Sequence, residues 1–239
     1  WSEPDVVTVQ VEYPPPPLGG LTAEWLPDSA AVMLTVAVPA AKSGEVDAVS
    51  AEIWRSVDGA PWSLYAGDLP LDTALLDPTP HTSAVTAYKI VTVSDLPTTA
   101  EATPVLVSPD PQGWVWLNAG PGWSQQVRMR DNARLGMKYA RAAERHHMAG
   151  SALPISIRGQ EVDSSIDVSV RLAPNPDGGA TWAELREFIA NAEEPILYRD
   201  AKGHRLFVSI PEVSGSAERI VETASFTAYE IDHEEVTGE

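Results

Sequence analysis

The sequence predicts a mainly-β protein of two β-sandwich-like domains, the second carrying one short α-helix. Three observations carry that expectation. Short alternating runs rich in β-branched residues recur between turn signals spaced roughly eight to twelve residues apart. A break at Ser108-Pro109-Asp110-Pro111-Gln112-Gly113 divides the chain. Only one segment, 181–192, combines a helical period with a helix-start signal.

The bulk composition bounds the function classes. At 239 residues the chain fits one large domain or two ordinary ones, and 44% hydrophobic with 21% charged content is globular. With no cysteine there are no disulfides, no Cys-ligated zinc and no thiol nucleophile. A formal charge of −18 argues against nucleic-acid binding, which needs a basic face. No apolar run approaches the roughly 18 residues that cross a bilayer. A start at Trp1 rather than Met reads as a trimmed, processed or truncated chain. Residues 1–110 hold fifteen acids and three Lys or Arg, whereas residues 111–239 hold nineteen and thirteen. Such a step suits two domains with different neighbours.

In chain order, residues 1–20 read as a strand (Asp5 to Tyr13) and a proline-rich linker, Pro14 to Gly20. The linker has a sharper alternative as a ligand for a proline-binding module, although it lacks a flanking basic residue. Residues 21–108 form the first sandwich. Its strand-like runs are Ala31 to Val38, Ala48 to Arg55, Trp62 to Ala66, Ala84 to Ser94 and Thr103 to Val107. Turns fall at Lys42-Ser43-Gly44, Asp58-Gly59 and Asp77 to Pro80. Trp54, Trp62 and Tyr88 offer either a carbohydrate-stacking surface or ordinary hairpin packing.

Residues 113–239 form the second domain. Gln125 to Arg145 carries Arg130, Arg134, Lys138, Arg141 and Arg145 at helical spacing, yet Val127, Met129, Leu135, Met137 and Tyr139 alternate as in strands. With Asp131-Asn132 as a turn and Gly136 against a helix, extended chain is the expectation. Leu153 to Arg158 and Ser165 to Leu172 read as strands joined at Asp163-Ser164. Thr181-x-x-Glu184 is a capping box, Trp182, Leu185, Phe188, Ile189 and Ala192 form an apolar stripe, and Pro195 stops the helix. A hairpin follows over Ile196 to Ile210, turning at Asp200 to Gly203. Val213 to Ser216 reads as another turn, and a last strand runs from about Ile220 to Ile231.

Two resemblances add to this reading. Trp25 with Pro27, the EIWRSVDGAPW run at 52–62 and the AYKIVTV run at 87–93 resemble a fibronectin type III domain. In that family the latter two correspond to the C–C′ hairpin and the Tyr-bearing F strand. Ala152 to Asp232 is similar to the C-terminal part of minor tail proteins of long-tailed actinobacteriophages. The likeness lies in the order Leu153-Pro154-Ile155-Ser156-Ile157, a strand pair, a short helix, then Ile196-Leu197-Tyr198-Arg199-Asp200-Ala201-Lys202-Gly203-His204-Arg205-Leu206-Phe207-Val208, and a closing strand. The resemblance implies a non-enzymatic virion component at the distal end of the tail. It implies packing with other tail proteins and copies of itself in a ring, hexameric or trimeric, that links tube to adhesion device.

Arg128, Arg130, Arg134, Lys138, Arg141 and Arg145 are the candidate subunit-interface residues, facing the acidic first domain of a neighbour. A plain solvated face is the alternative. No cofactor or metal is expected. His146-His147 point to opposite sides, and Asp177-Gly178-Gly179 lacks a calcium loop's repeated oxygens. No nucleophile elbow, phosphate loop or dinucleotide fingerprint is present. The competing functional reading is a carbohydrate-binding accessory protein that stacks host glycans on exposed tryptophans from Trp25, Trp62, Trp114, Trp116 and Trp123.

Overall fold

The computed structural model describes residues 13–146, 155–172, 178–217 and 222–232. It is mainly β and antiparallel throughout. The first domain contains β1 (Gly20–Leu26), β2 (Ala31–Ala37), β3 (Ala48–Val57), β4 (Ser63–Leu69), β5 (Asp72–Asp77), β6 (Thr86–Ser94), β7 (Thr99–Glu101) and β8 (Val105–Val107). One sheet runs β1-β2-β5; the other runs β4-β3-β6-β7, with β8 also on β6. Alternation decides which side chains go inside. Val32, Leu34 and Val36 from β2 meet Ile53 of β3 and Tyr88 and Ile90 of β6 in one buried core.

The second half of the proline run is packed against this sandwich, while Pro14 and Pro15 are exposed. Pro16 and Pro17 are buried. The Pro17 carbonyl accepts from the Thr92 hydroxyl at 2.7 Å, and the Pro15 carbonyl accepts from the Val46 amide at 3.2 Å. A segment held in this way is not offered to a proline-binding module. The strand expected over Asp5 to Tyr13 falls almost wholly outside the described residues.

The second domain contains β9 (Trp114–Ala119), β10 (Gln125–His146), β11 (Ile155–Leu172), α1 (Trp182–Asn191), β12 (Ile196–Asp200), β13 (Arg205–Ser209), β14 (Val213–Ala217) and β15 (Glu222–Glu230). Its sheet closes on itself. β9 pairs with β10 and β12, β12 with β13, β13 with β15, and β15 with β11, which returns to β10. Closure removes the sheet edges along the barrel wall. Helix α1 covers the barrel core with Leu185 and Phe188. Its capping box forms: the Glu184 amide donates to Thr181 Oγ1, and the Thr181 amide donates to the Glu184 carboxylate. Such a cap stabilises by about 1 kcal/mol, and those hydrogen bonds hold the Glu184 carboxyl below the usual carboxylate range.

Three expected turns are not turns. β11 runs through Asp163-Ser164 unbroken, because β10 pairs with it on both sides of that point. The Asp131-Asn132 turn is a register shift between Asp131 and Leu135, a bulge inside β10. Val213 to Ser216 is strand β14, paired with the first half of β15. All three stretches are short and dominated by residues that also favour turns, and strand pairing overrides that local preference.

Candidate functional site

Strands β9 and β12 lie side by side in the barrel wall, and every residue in both is buried. Their inward side chains, Val115, Leu117, Ile196 and Tyr198, belong to the barrel core. Their outward side chains are covered instead by the first domain. Trp114 and Trp116 cluster with Ala30 and Trp25 of the sandwich. Burial on both faces erases the alternation that marks a half-exposed strand, so β9 was not legible.

Arg199 sits in the middle of this seam with no exposed surface. Its Nη1 donates to the carbonyls of Ala30 at 2.6 Å and Pro80 at 3.3 Å, and its Nη2 donates to Asn118 Oδ1 at 2.8 Å. One guanidinium thus joins the turn before β2, the segment after β5 and strand β9. Arg does this better than Lys because its donors form a rigid fork. Burial pushes its pKa down to about 9; Asp77 opposes the shift and Arg205 adds to it. It is therefore charged at neutral pH.

Asp200, fully buried, organises the adjacent turn. Its Oδ1 accepts from the amides of Lys202 and His204, and its Oδ2 pairs with His204 Nδ1 at 2.7 Å. Its carbonyl accepts from the Thr82 hydroxyl of the first domain at 2.6 Å. Gly203 has φ +95°, and a Cβ there would stand 2.1 Å from Ser83 Oγ. Both conditions demand glycine. The Arg-Asp-x-x-Gly run within the tail-protein resemblance is thus a device for docking one domain on the other. Reasoning from sequence did not assign Arg199 and Asp200 this role. The available signal was an Arg inside an otherwise apolar strand.

His81 lies in the same first-domain segment. Burial chiefly, with Arg205 adding and Asp58 opposing, pushes its imidazole below 6.5. Below that value the unfolded chain binds more protons than the folded one. This group's contribution is therefore intact above 6.5 and is lost as pH falls through the folded value. A His81→Gln variant is expected to show a smaller drop in Tm between about pH 7.5 and about pH 5 than the parent; an unchanged drop places the acid sensitivity elsewhere.

The candidate interface cations divide. Arg128 pairs with Asp28 of its own first domain at 2.6 Å and donates to the Gly178 carbonyl. Arg130 lies 3.8 Å from the Trp114 ring centroid and donates to the Gln112 carbonyl. These two side chains therefore act within the chain, across and beside the seam. Lys138 is exposed. Arg134, Arg141 and Arg145 have no described side-chain placement; their backbone lies in β10.

That part of β10 leaves the barrel. Beyond Arg130 it pairs only with β11, and before Ser165 β11 pairs only with β10, among the described residues. The ladder continues from Gly136 opposite Asp167 to His146 opposite Ile155, a ribbon of roughly 30 Å at strand rise. Met137 and Tyr139 on it are 69% and 76% exposed. Met137 lies opposite the core residue Ile166, so the ribbon's apolar side continues the barrel-inward side past the end of the core.

At the ribbon's root the outer faces of β11 and β15 floor an open groove of about 510 Å³. Asp167, Ser169, Glu212, Thr227 and Tyr229 line it, and among the described residues no Lys, Arg or His does. The Thr227 hydroxyl donates to Asp167 Oδ1 at 2.7 Å.

The tryptophans expected to stack on sugars are largely committed. Trp114 and Trp116 are buried in the seam, so they present no ring face to a ligand. Trp25 packs beside them, and Trp123 packs on Phe207 at 5.6 Å. Tyr88 is a core residue. Trp54 and Trp62 stand half-buried on the outer sheet face, flanking Lys89. No group of three metal-ligating side chains occurs among the described residues, which exclude His147 and Asp177.

No protein-family model matches this chain, and no curated protein matches it.

Proposed function

We propose that this chain is a structural, non-enzymatic component of a bacteriophage tail tip, packing in a ring that links the tail tube to the adhesion device. The observation that carries the reading is the β10–β11 ribbon. A two-stranded ribbon with both edges open is marginal in water, and open edges are templates for pairing with another chain. Its stable setting is against neighbouring subunits. The buried Arg199 seam supports the same reading, because it couples the two domains into one stiff unit suited to bearing load. From α1 through the β12–β13 hairpin to β15 the elements follow the order quoted for the tail-protein resemblance, whereas the strand and strand pair quoted before the helix are one continuous strand, β11, and β14 is additional to it. The 1-2-5 and 4-3-6-7 strand orders of the first domain are compatible with a fibronectin type III module.

Labelling intact tailed particles with an antibody raised against this chain is the direct test. The expected result is label confined to the distal end of the tail. Label on the head or along the tail shaft, or absence of the chain from purified particles, overturns the proposal. The glycan-binding alternative retains Trp54 and Trp62 as its platform. Quenching of tryptophan fluorescence by host cell-wall polysaccharide, abolished in Trp62→Ala, would favour it.

A further inference from the structure

We propose that the groove beside the ribbon's root receives the ribbon of a second copy of this chain. The inference rests on the assembly reading above and names the two surfaces that meet. Three features point to a second copy as the occupant.

The first is charge. Residues 134–145 of β10 carry Arg134, Lys138, Arg141 and Arg145 against the single carboxylate of Glu144. The groove offers Asp167 and Glu212, with no cation among the described residues of its lining. Complementary fields of this kind fix partner and register. In a chain of net charge −18, segment 134–145 is an unusual concentration of cations.

The second is surface character. Met137 and Tyr139 stand two residues apart on one side of the ribbon, and Arg141 follows at the same spacing, opposite Val162 in the ladder. That side is apolar at the root. The groove likewise offers apolar surface, with Pro211 and the 46%-exposed Tyr229 beside the two carboxylates.

The third is reach. Gly136, at the base of the ribbon, itself lines the groove. The ribbon is paired along its length and leads away from Gly136, and beyond that glycine none of its described side chains lines the groove at its own root. Residues 139–146 reach the equivalent groove only on another copy. Donor and acceptor are different surfaces, so the contact is heterologous and repeats around a ring or along a filament.

The chain has no cysteine, so single introduced cysteines give a clean readout. Ser225→Cys marks the groove floor and Met137→Cys marks the ribbon, both at solvent-facing positions. Mild oxidation of a mixture of the two full-length variants, one carrying a size tag, should give the mixed disulfide dimer in at least tenfold excess over either variant alone. Asp167→Lys with Glu212→Lys on the groove copy should lower that yield at least tenfold. Arg141→Glu on the ribbon copy should restore at least part of it. Light scattering of the parent chain runs alongside. Discrete oligomers without the mixed dimer overturn the groove assignment and leave the ring reading standing. A mixed dimer that ignores both charge reversals overturns the electrostatic docking. Monomers at every concentration, without mixed dimer, overturn the groove assignment; whether the ring reading also falls is then decided by the antibody label on the tail.

Discussion

Arg199→Met is expected to lower the free energy of unfolding by roughly 2–4 kcal/mol and to split one cooperative transition into two. Methionine keeps the hydrophobic volume of the stem and removes every donor. The carbonyls of Ala30 and Pro80 and the Asn118 side chain then lose their partner inside a seam closed to water. Each orphaned buried acceptor costs about 1–3 kcal/mol. Relief of the guanidinium's own desolvation, already visible in its lowered pKa, offsets part of the sum. Because these bonds cross between domains, their loss falls on the coupling more than on either core. Calorimetry of the variant should resolve separate sandwich and barrel transitions. Arg199→Lys keeps a charge but not the fork, and should fall between parent and methionine variant. A single transition within about 0.5 kcal/mol of the parent would mean that the apolar cluster of Trp25, Trp114 and Trp116 holds the seam alone.

That same seam marks where reading the sequence stopped working. Strands buried on one face announced themselves: AVMLTVA in β2 and TAYKIVTVS in β6 alternate, and the structure shows the alternate residues inside. The helix was legible because its start is chemically local, a threonine and a glutamate three residues apart. Gln125 to Arg145 carried two patterns at once, cations at helical spacing and apolar residues in alternation, and the structure follows the second. WVWLNA in β9 has no such rhythm, since both of its faces are buried. β5, with aspartates at both ends, was not among the expected strands, and only its pairing with β2 reveals it. The interface cations show the limit most clearly. Arg128 finds Asp28 across a hundred residues of chain, and nothing in the local pattern of either residue announces the other. Composition showed that acid and base are unevenly divided between the domains; only the fold shows that part of that imbalance is satisfied within one chain.

Asp77 is the other position where a single substitution should have a large effect. It ends β5 with no exposed surface, and both carboxylate oxygens are occupied. Oδ2 accepts from Arg55 Nη1 at 3.1 Å and from the Tyr88 hydroxyl at 2.6 Å. Oδ1 accepts from the Thr79 amide at 2.9 Å. Burial first, and then the Asp77 charge, hold the Tyr88 phenol far above its ordinary value, so it remains a donor at any pH the fold survives. Asp77→Ala leaves a largely buried Arg55 cation without its carboxylate, a defect of roughly 3–5 kcal/mol. Tyr88→Phe should cost only about 1 kcal/mol, because Arg55 and Thr79 still satisfy the carboxylate. The consequence reaches the second domain. Asp77 is the charge that helps keep Arg199 protonated, and Thr79, anchored on Asp77, precedes the Pro80 carbonyl that Arg199 reads. The Asp77→Ala and Arg199→Met effects should therefore be less than additive by about 1 kcal/mol or more in a double-mutant cycle. Strict additivity in urea titrations would mean that the sandwich network and the seam are independent, and that the stiffness of the two-domain unit comes from packing alone.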